Sequence, residues 1–352
     1  MRLDELDTPV PVVDLDKVDR NLRRMQDCCD SHGLKLRPHI KTHKLPQFAK
    51  AQVELGAVGI TCQKIGEAEV MADAGLADIL ISYPIVGAPK VARLAALAAR
   101  VRLTCAVDNV VALDTVAAAA ALAETTIGVL VEFDSGNGRT GVVTVDQALA
   151  LARDAAARPF VEFRGLMTYP SSARSAEFVA AARPVFAAAG LDIPMVSGGG
   201  TPEYLQAHTV EGVGEYRVGT YVYHDRATVG AGVAALDDCA LLVHATVVSR
   251  PTDDRAIIDA GSKTLSSDRV DPALGAGHGV LLGYPDAVIV RLNEEHGVID
   301  ISRSEKKPAI GERLRIVPNH VCVVTNLHDE VVVARGDTVE GVWAVPARGK
   351  TR

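Results

Sequence analysis

The chain has 352 residues, of which 48% are apolar, and a formal net charge of −7. Its size exceeds one average domain. The acidic balance and the lack of any Arg/Lys run exclude an electrostatic nucleic-acid partner, and no apolar run reaches the roughly 18 residues of a membrane span. The acidic start Met1-Arg2-Leu3-Asp4-Glu5 does not read as a signal peptide. Cys28, Cys29, Cys62, Cys105, Cys239 and Cys322 lack disulfide-like or CxxC spacing, which fits a reduced cytoplasmic protein.

Along the chain, short apolar runs alternate with alanine-rich helical stretches. Predicted strands are Pro11–Leu15, Lys35–Arg37, Gly59–Thr61, Ile79–Ser82, Leu103–Val107, Gly128–Phe133, Phe163–Met167, Met195–Ser197 and Glu215–Arg217. Predicted helices between them include Asp16–His32, Leu45–Leu55, Lys64–Ala74, Ala88–Arg100, Val110–Ala121, Thr144–Ala157 and Ser175–Ala189. About eight strand–helix units imply a parallel (β/α)₈ barrel of the TIM type over residues 8–235, with an open doubly wound sheet as the alternative. From Cys239 the alanine helices stop. The β-branched runs His244–Ser249, Ala256–Asp259, Val288–Leu292, Gly297–Ile301, Arg313–Val317, Val321–Val324, Glu330–Val333 and Gly341–Val345 imply a mainly antiparallel β domain over 236–352, joined by residues 1–7.

Four segments carry chemistry. Lys41 follows a short strand and precedes a helix, at the barrel end where catalytic groups lie. Partial desolvation beside cations such as Arg37 and Lys44 would lower an amine's pKa and let it attack a carbonyl; a solvated turn is the plain alternative. Ser197-Gly198-Gly199-Gly200-Thr201 and Glu215-Tyr216-Arg217-Val218-Gly219-Thr220-Tyr221 are strand ends followed by small-residue turns, late in a barrel where phosphate sites occur. Asp134-Ser135-Gly136-Asn137-Gly138-Arg139-Thr140-Gly141 places an arginine on a loop after a strand.

The segment Pro38-His39-Ile40-Lys41-Thr42-His43-Lys44 resembles the PHxKTHK signature of the D-threonine aldolase and D-serine dehydratase family, fold-type III pyridoxal 5′-phosphate (PLP) enzymes with an alanine-racemase-like barrel. Thr8-Pro9, Asp259-Ala260-Gly261-Ser262-Lys263, Glu294-Glu295-His296-Gly297 and Pro318-Asn319-His320-Val321-Cys322 extend the likeness over nearly the whole chain. The resemblance implies that Lys41 carries PLP as a Schiff base. Gly199, Gly200 and Thr201, with Gly219, Thr220 and Tyr221, would bind its phosphate, Arg217 its ring nitrogen and Arg139 its ring oxygen, with Tyr169 in the same pocket. An arginine can only donate, so the ring nitrogen would stay unprotonated and a weaker electron sink, and help at the reacting hydroxyl is expected.

His320 and Cys322, two apart in an expected strand, would share a face. By the resemblance they ligate a divalent metal, Zn²⁺ by the softness of the thiolate. Aldolase relatives often place Asp at the cysteine position, which suits Mn²⁺ or Mg²⁺ and makes Cys322 a point for dehydration. His296 is a candidate acid–base group. The expected function is metal-assisted retro-aldol cleavage of D-3-hydroxy amino acids to glycine and an aldehyde. D-serine or D-3-hydroxyaspartate dehydration is the alternative, ahead of racemisation or non-catalytic PLP carriage. The resemblance also implies a homodimer, with a small D-amino acid as substrate and neither nucleic acid nor membrane as partner.

Overall fold

The structure, a computed structural model, describes residues 1–201 and 204–352. The chain divides into two compact units. One comprises Met25–Lys41, Pro46–Gly219 and Lys350–Arg352; the other Met1–Arg24, Thr42–Leu45 and Thr220–Gly349.

The first unit is the barrel. Strands Lys35–Leu36, Ile60–Cys62, Asp78–Ile81, Arg102–Val107, Ile127–Phe133, Val161–Thr168, Val196–Gly199 and Glu215–Arg217 form one sheet whose paired neighbours all run parallel. The last strand pairs with the first, Lys35 opposite Glu215, and a parallel bridge between His39 and Thr61 joins the sheet's two ends. Both faces are covered, so every residue of Ile127–Phe133 is buried. Leu80, Ala106, Leu130 and Met167 pack together as an apolar layer of the interior. The alanine-rich helices suit this wall, because short side chains bring helix and sheet close: Ala112, Ala119 and Ala120 of Val110–Ala123 are each fully buried.

The second unit holds a mainly antiparallel sheet of nine strands. The run expected as the first barrel strand belongs here. Val10–Asp14 pairs antiparallel with Leu241–Thr252 and parallel with Glu330–Arg335, and Val12 packs with Leu6, Val332 and Ala334. Nine strand-like runs were available for eight staves, and an apolar stretch such as Val-Pro-Val-Val does not encode its partner. The expected strand Val321–Val324 is instead the start of a helix, Val321–Leu327. The remaining β-branched runs form strands as expected.

His224 and His244 in this unit are 1% and 6% exposed. Burial, the largest influence on each, brings both imidazoles down to about 4; Arg315 and Arg313 reinforce it at His244, whereas Asp238 and Asp225 oppose it at His224. The unfolded chain therefore takes up protons first. The stability these neutral histidines contribute is complete above about pH 6.5 and is lost as pH falls towards 4, on the order of 2 to 3 kcal/mol each. Denaturant midpoints measured between pH 7 and 4.5 should fall, and more shallowly in His244→Gln. An unchanged slope in that variant would reject the assignment.

Candidate active site and metal-binding pair

Lys41 lies in the single 3₁₀ turn Ile40–Thr42, beyond the C-terminal end of strand Lys35–Leu36, and is half-buried. Its turn is held by His39, whose N–H donates to the carbonyl of Val218 at 2.8 Å and whose Nδ1 accepts the Lys41 N–H at 3.3 Å. With Nδ1 accepting, Nε2 carries the proton and donates to Gln63 Oε1 at 3.0 Å. The Lys41 ammonium stands 6.0 Å from the Tyr169 ring centroid, and the Arg139 guanidinium 4.7 Å from the same centroid. Three expected site residues thus converge at one end of the barrel. The expected cationic neighbours of Lys41 do not serve that role. Arg37 donates to Glu215 at 2.7 Å and Asp78 at 2.6 Å, and the Lys44 ammonium donates to the carbonyl of Ala347 at 3.3 Å.

Arg217 sits inside the barrel, 6% exposed, donating to Ser197 Oγ at 2.6 Å and to the Thr168 carbonyl at 2.9 Å. The Ser197 hydroxyl donates in turn to Glu215 at 2.6 Å, and Glu215 accepts from Arg37. This chain of charge-assisted bonds locks the guanidinium in one orientation. Burial lowers Arg217 to about 10 against the pull of Glu215 and Glu132, so at neutral pH it remains charged and can only donate.

The glycine turn supplies space more than donors. The Gly199 N–H is already bound to Ser171 Oγ at 2.8 Å and the Gly200 N–H to the carbonyl of Arg217 at 3.2 Å. A Cβ on Gly199 would stand 2.6 Å from the Arg217 carbonyl oxygen, so only glycine permits this approach. Thr201 follows, 9% exposed. Gly219 closes the barrel unit, whereas Thr220 and Tyr221 open the 3₁₀ turn Thr220–Val222 of the other unit, Tyr221 fully buried. A lysine, two guanidiniums and a side-chain-free turn fit a planar anionic coenzyme of the PLP kind.

In the second unit His320 caps the helix Val321–Leu327 with an extended backbone, φ −145° and ψ 114°. This replaces the expected strand, yet the imidazole still meets the Cys322 side chain, because the capping residue departs from helical geometry. The shaping group is Asp225, fully buried, which sequence reasoning missed. It accepts from His320 Nδ1 at 3.0 Å and from the Val321 N–H at 3.2 Å, and from the Thr228 N–H at 3.0 Å. Nδ1 being engaged, Nε2 is the nitrogen left for a metal. Burial works against charge on His320, but the hydrogen bonds and negative charge of Asp225 and Cys322 override it and raise the imidazole to about 11. An imidazole and a sulfur side by side, backed by a buried carboxylate, are a donor set suited to a cation. Thr42 Oγ1 lies 3.1 Å from Cys322 Sγ and Thr220 Oγ1 3.9 Å. Among the described residues no group of three or more His, Cys, Asp or Glu is arranged to hold a metal. His296 is exposed on the turn between Val288–Leu292 and Gly297–Asp300, and no contact joins it to His320 or Cys322 among the described residues.

Residues 13–227 match the alanine racemase N-terminal domain, and residues 240–334 the domain described as "Putative serine dehydratase domain". A D-threonine aldolase of Arthrobacter sp. is 38% identical over 368 residues, spanning 99% of this chain and 95% of its own. The D-threo-3-hydroxyaspartate dehydratase of Delftia sp. (strain HT23) is 36% identical over 354 residues, spanning 90% and 91%. The solved D-threonine aldolase of Filomicrobium marinum has a TM-score of 0.90 at 34% identity, covering 100% of this chain and 98% of that one. Structures of D-threo-3-hydroxyaspartate dehydratase include a histidine-to-alanine mutant and, two positions on, a cysteine-to-alanine mutant in the metal-free form. Barrel, the lysine and arginine that meet at Tyr169, and full-length likeness agree: the chain belongs to the D-threonine aldolase and D-serine dehydratase family of PLP-dependent lyases.

Proposed function

We propose that this lyase cleaves the Cα–Cβ bond of D-3-hydroxy amino acids, D-threonine giving glycine and acetaldehyde, with the help of a divalent metal. The observation that carries the reading is the convergence of Lys41 and Arg139 on Tyr169 at the barrel's strand ends, in a chain 38% identical along its length to a D-threonine aldolase. PLP, when bound, supplies the electron sink for the bond broken at Cα, and the metal a Lewis acid for the 3-hydroxyl. Lys41 would hold the coenzyme covalently. Arg217 would face its ring nitrogen and Arg139 its ring oxygen, and the Gly199–Thr201 turn with Gly219 would give its phosphate room. Arg217, charged at neutral pH, would leave the ring nitrogen unprotonated and the sink weaker, which gives activation of the hydroxyl by another group its place. His320 and Cys322 are the donors for that ion, and the thiolate favours Zn²⁺ over Mn²⁺ or Mg²⁺.

Cys322 also favours a second reading, a D-serine or D-3-hydroxyaspartate dehydratase, since the solved dehydratase lacking a cysteine two positions after a histidine is described as metal-free. In that case Lys41 takes the Cα proton, and ammonia with a keto acid leaves. Incubation with D-threonine, D-serine and D-3-hydroxyaspartate should release aldehyde and glycine in equal amounts. Ammonia and keto acid with no glycine would replace the aldolase by the dehydratase.

A further inference from the structure

Glu132 is a buried acid of the barrel that the reading above does not use. Leu130 belongs to the interior apolar layer, and Glu132, two residues further along the same strand, points to the same face one layer nearer the strand's C-terminal end. It is 2% exposed. One oxygen, Oε1, accepts from Thr140 Oγ1 at 2.9 Å. The other, Oε2, is buried with no hydrogen-bond partner among the described residues. An interior carboxylate oxygen in that state has an unmet demand for a hydrogen-bond donor.

The partner stands next to Thr140. Arg139 is exposed, lies against Tyr169, and makes no hydrogen bond among the described residues. Its loop is tied down on both sides. Asp134 Oδ1 accepts from the N–H groups of Gly136, Asn137 and Gly138, and the Gly141 N–H donates to Asp108. Only the arginine side chain needs to turn. Burial raises the Glu132 carboxyl, opposed by Thr140, Arg217 and Arg139; both guanidiniums are thus within electrostatic reach.

We propose that Glu132 is a positioning residue of the coenzyme pocket: its uncommitted oxygen receives the Arg139 guanidinium and holds it in place against the bound coenzyme. This rests on the reading of the pocket as a PLP site. It goes beyond that reading by assigning the two arginines different supports, Arg217 through Ser197 and Glu215, Arg139 through Glu132. The plain alternative is a protonated acid that merely braces the loop through Thr140.

The test is a double-mutant cycle on the full-length protein with PLP as the probe, its dissociation constant read from the visible absorbance of the bound coenzyme. Glu132→Gln and Arg139→Gln should each weaken binding about tenfold, and the double variant should be no weaker than the weaker single. The two variants should also shift the pH at which the bound coenzyme's absorbance changes, in the same direction. Losses that simply add, or a Glu132→Gln protein with unaltered affinity and spectrum, overturn the proposal. Should Glu132→Gln fail to fold, Glu132→Asp completes the cycle, since it keeps the charge while withdrawing it by one methylene. Wild-type protein that binds no PLP would sink the coenzyme reading and the proposal together; wild-type binding with additive losses would sink the proposal alone.

Discussion

Lys41→Ala is expected to erase the visible absorbance of the bound coenzyme and to lower kcat/KM on D-3-hydroxy amino acids by at least about 10³-fold. The amine is the one group in the Ile40–Thr42 turn able to form a covalent bond with an aldehyde, and no neighbouring lysine can substitute, because the Lys44 ammonium is spent on the Ala347 carbonyl. The variant should fold. Lys41 is only half-buried, and its turn is fixed by the N–H and ring Nδ1 of His39 rather than by the lysine side chain. Lys41→Arg should do no better, since a guanidinium keeps the charge but is no nucleophile at neutral pH. A coloured, active Lys41→Ala protein would show that the coenzyme is held elsewhere.

Cys322→Ala should leave coenzyme absorbance in place while metal content falls and activity drops by about 10² to 10³-fold. His320→Ala should behave alike. Asp225→Asn gives a graded result. It keeps the shape of a fully buried group that His320 Nδ1, the Val321 N–H and the Thr228 N–H all address, but removes the charge that orients the imidazole. Loss of such a supporting carboxylate lowers metal affinity about 10 to 100-fold, so excess Zn²⁺ should restore most of the activity of Asp225→Asn and little of Cys322→Ala. Metal analysis beside activity, before and after chelation, decides the matter. Full activity in metal-stripped wild-type protein would remove the Lewis acid from the mechanism.

The alternation of alanine helices with short apolar runs determined the parallel barrel, because that periodicity is a local property that survives without knowledge of neighbours. The PHxKTHK segment singled out Lys41 for the same reason, as a motif contiguous in the chain. Several other features are set by contacts distant in sequence. Val10–Asp14 reads like any barrel strand, and only its register against Leu241–Thr252 and Glu330–Arg335 assigns it to the other sheet. Val321–Leu327 carries the β-branched residues of a strand, yet it coils where Asp225, 96 positions away, accepts its first N–H. Arg37, expected beside Lys41 as a charge, is taken up by Glu215, 178 positions on. Glu132 interrupts the otherwise apolar run Ile127–Phe133, but its partners are unknown until the barrel closes and leaves one of its oxygens sealed. Propensity and motif are written in neighbouring residues; partners for buried charge come from anywhere in the chain, and only the folded molecule brings them together.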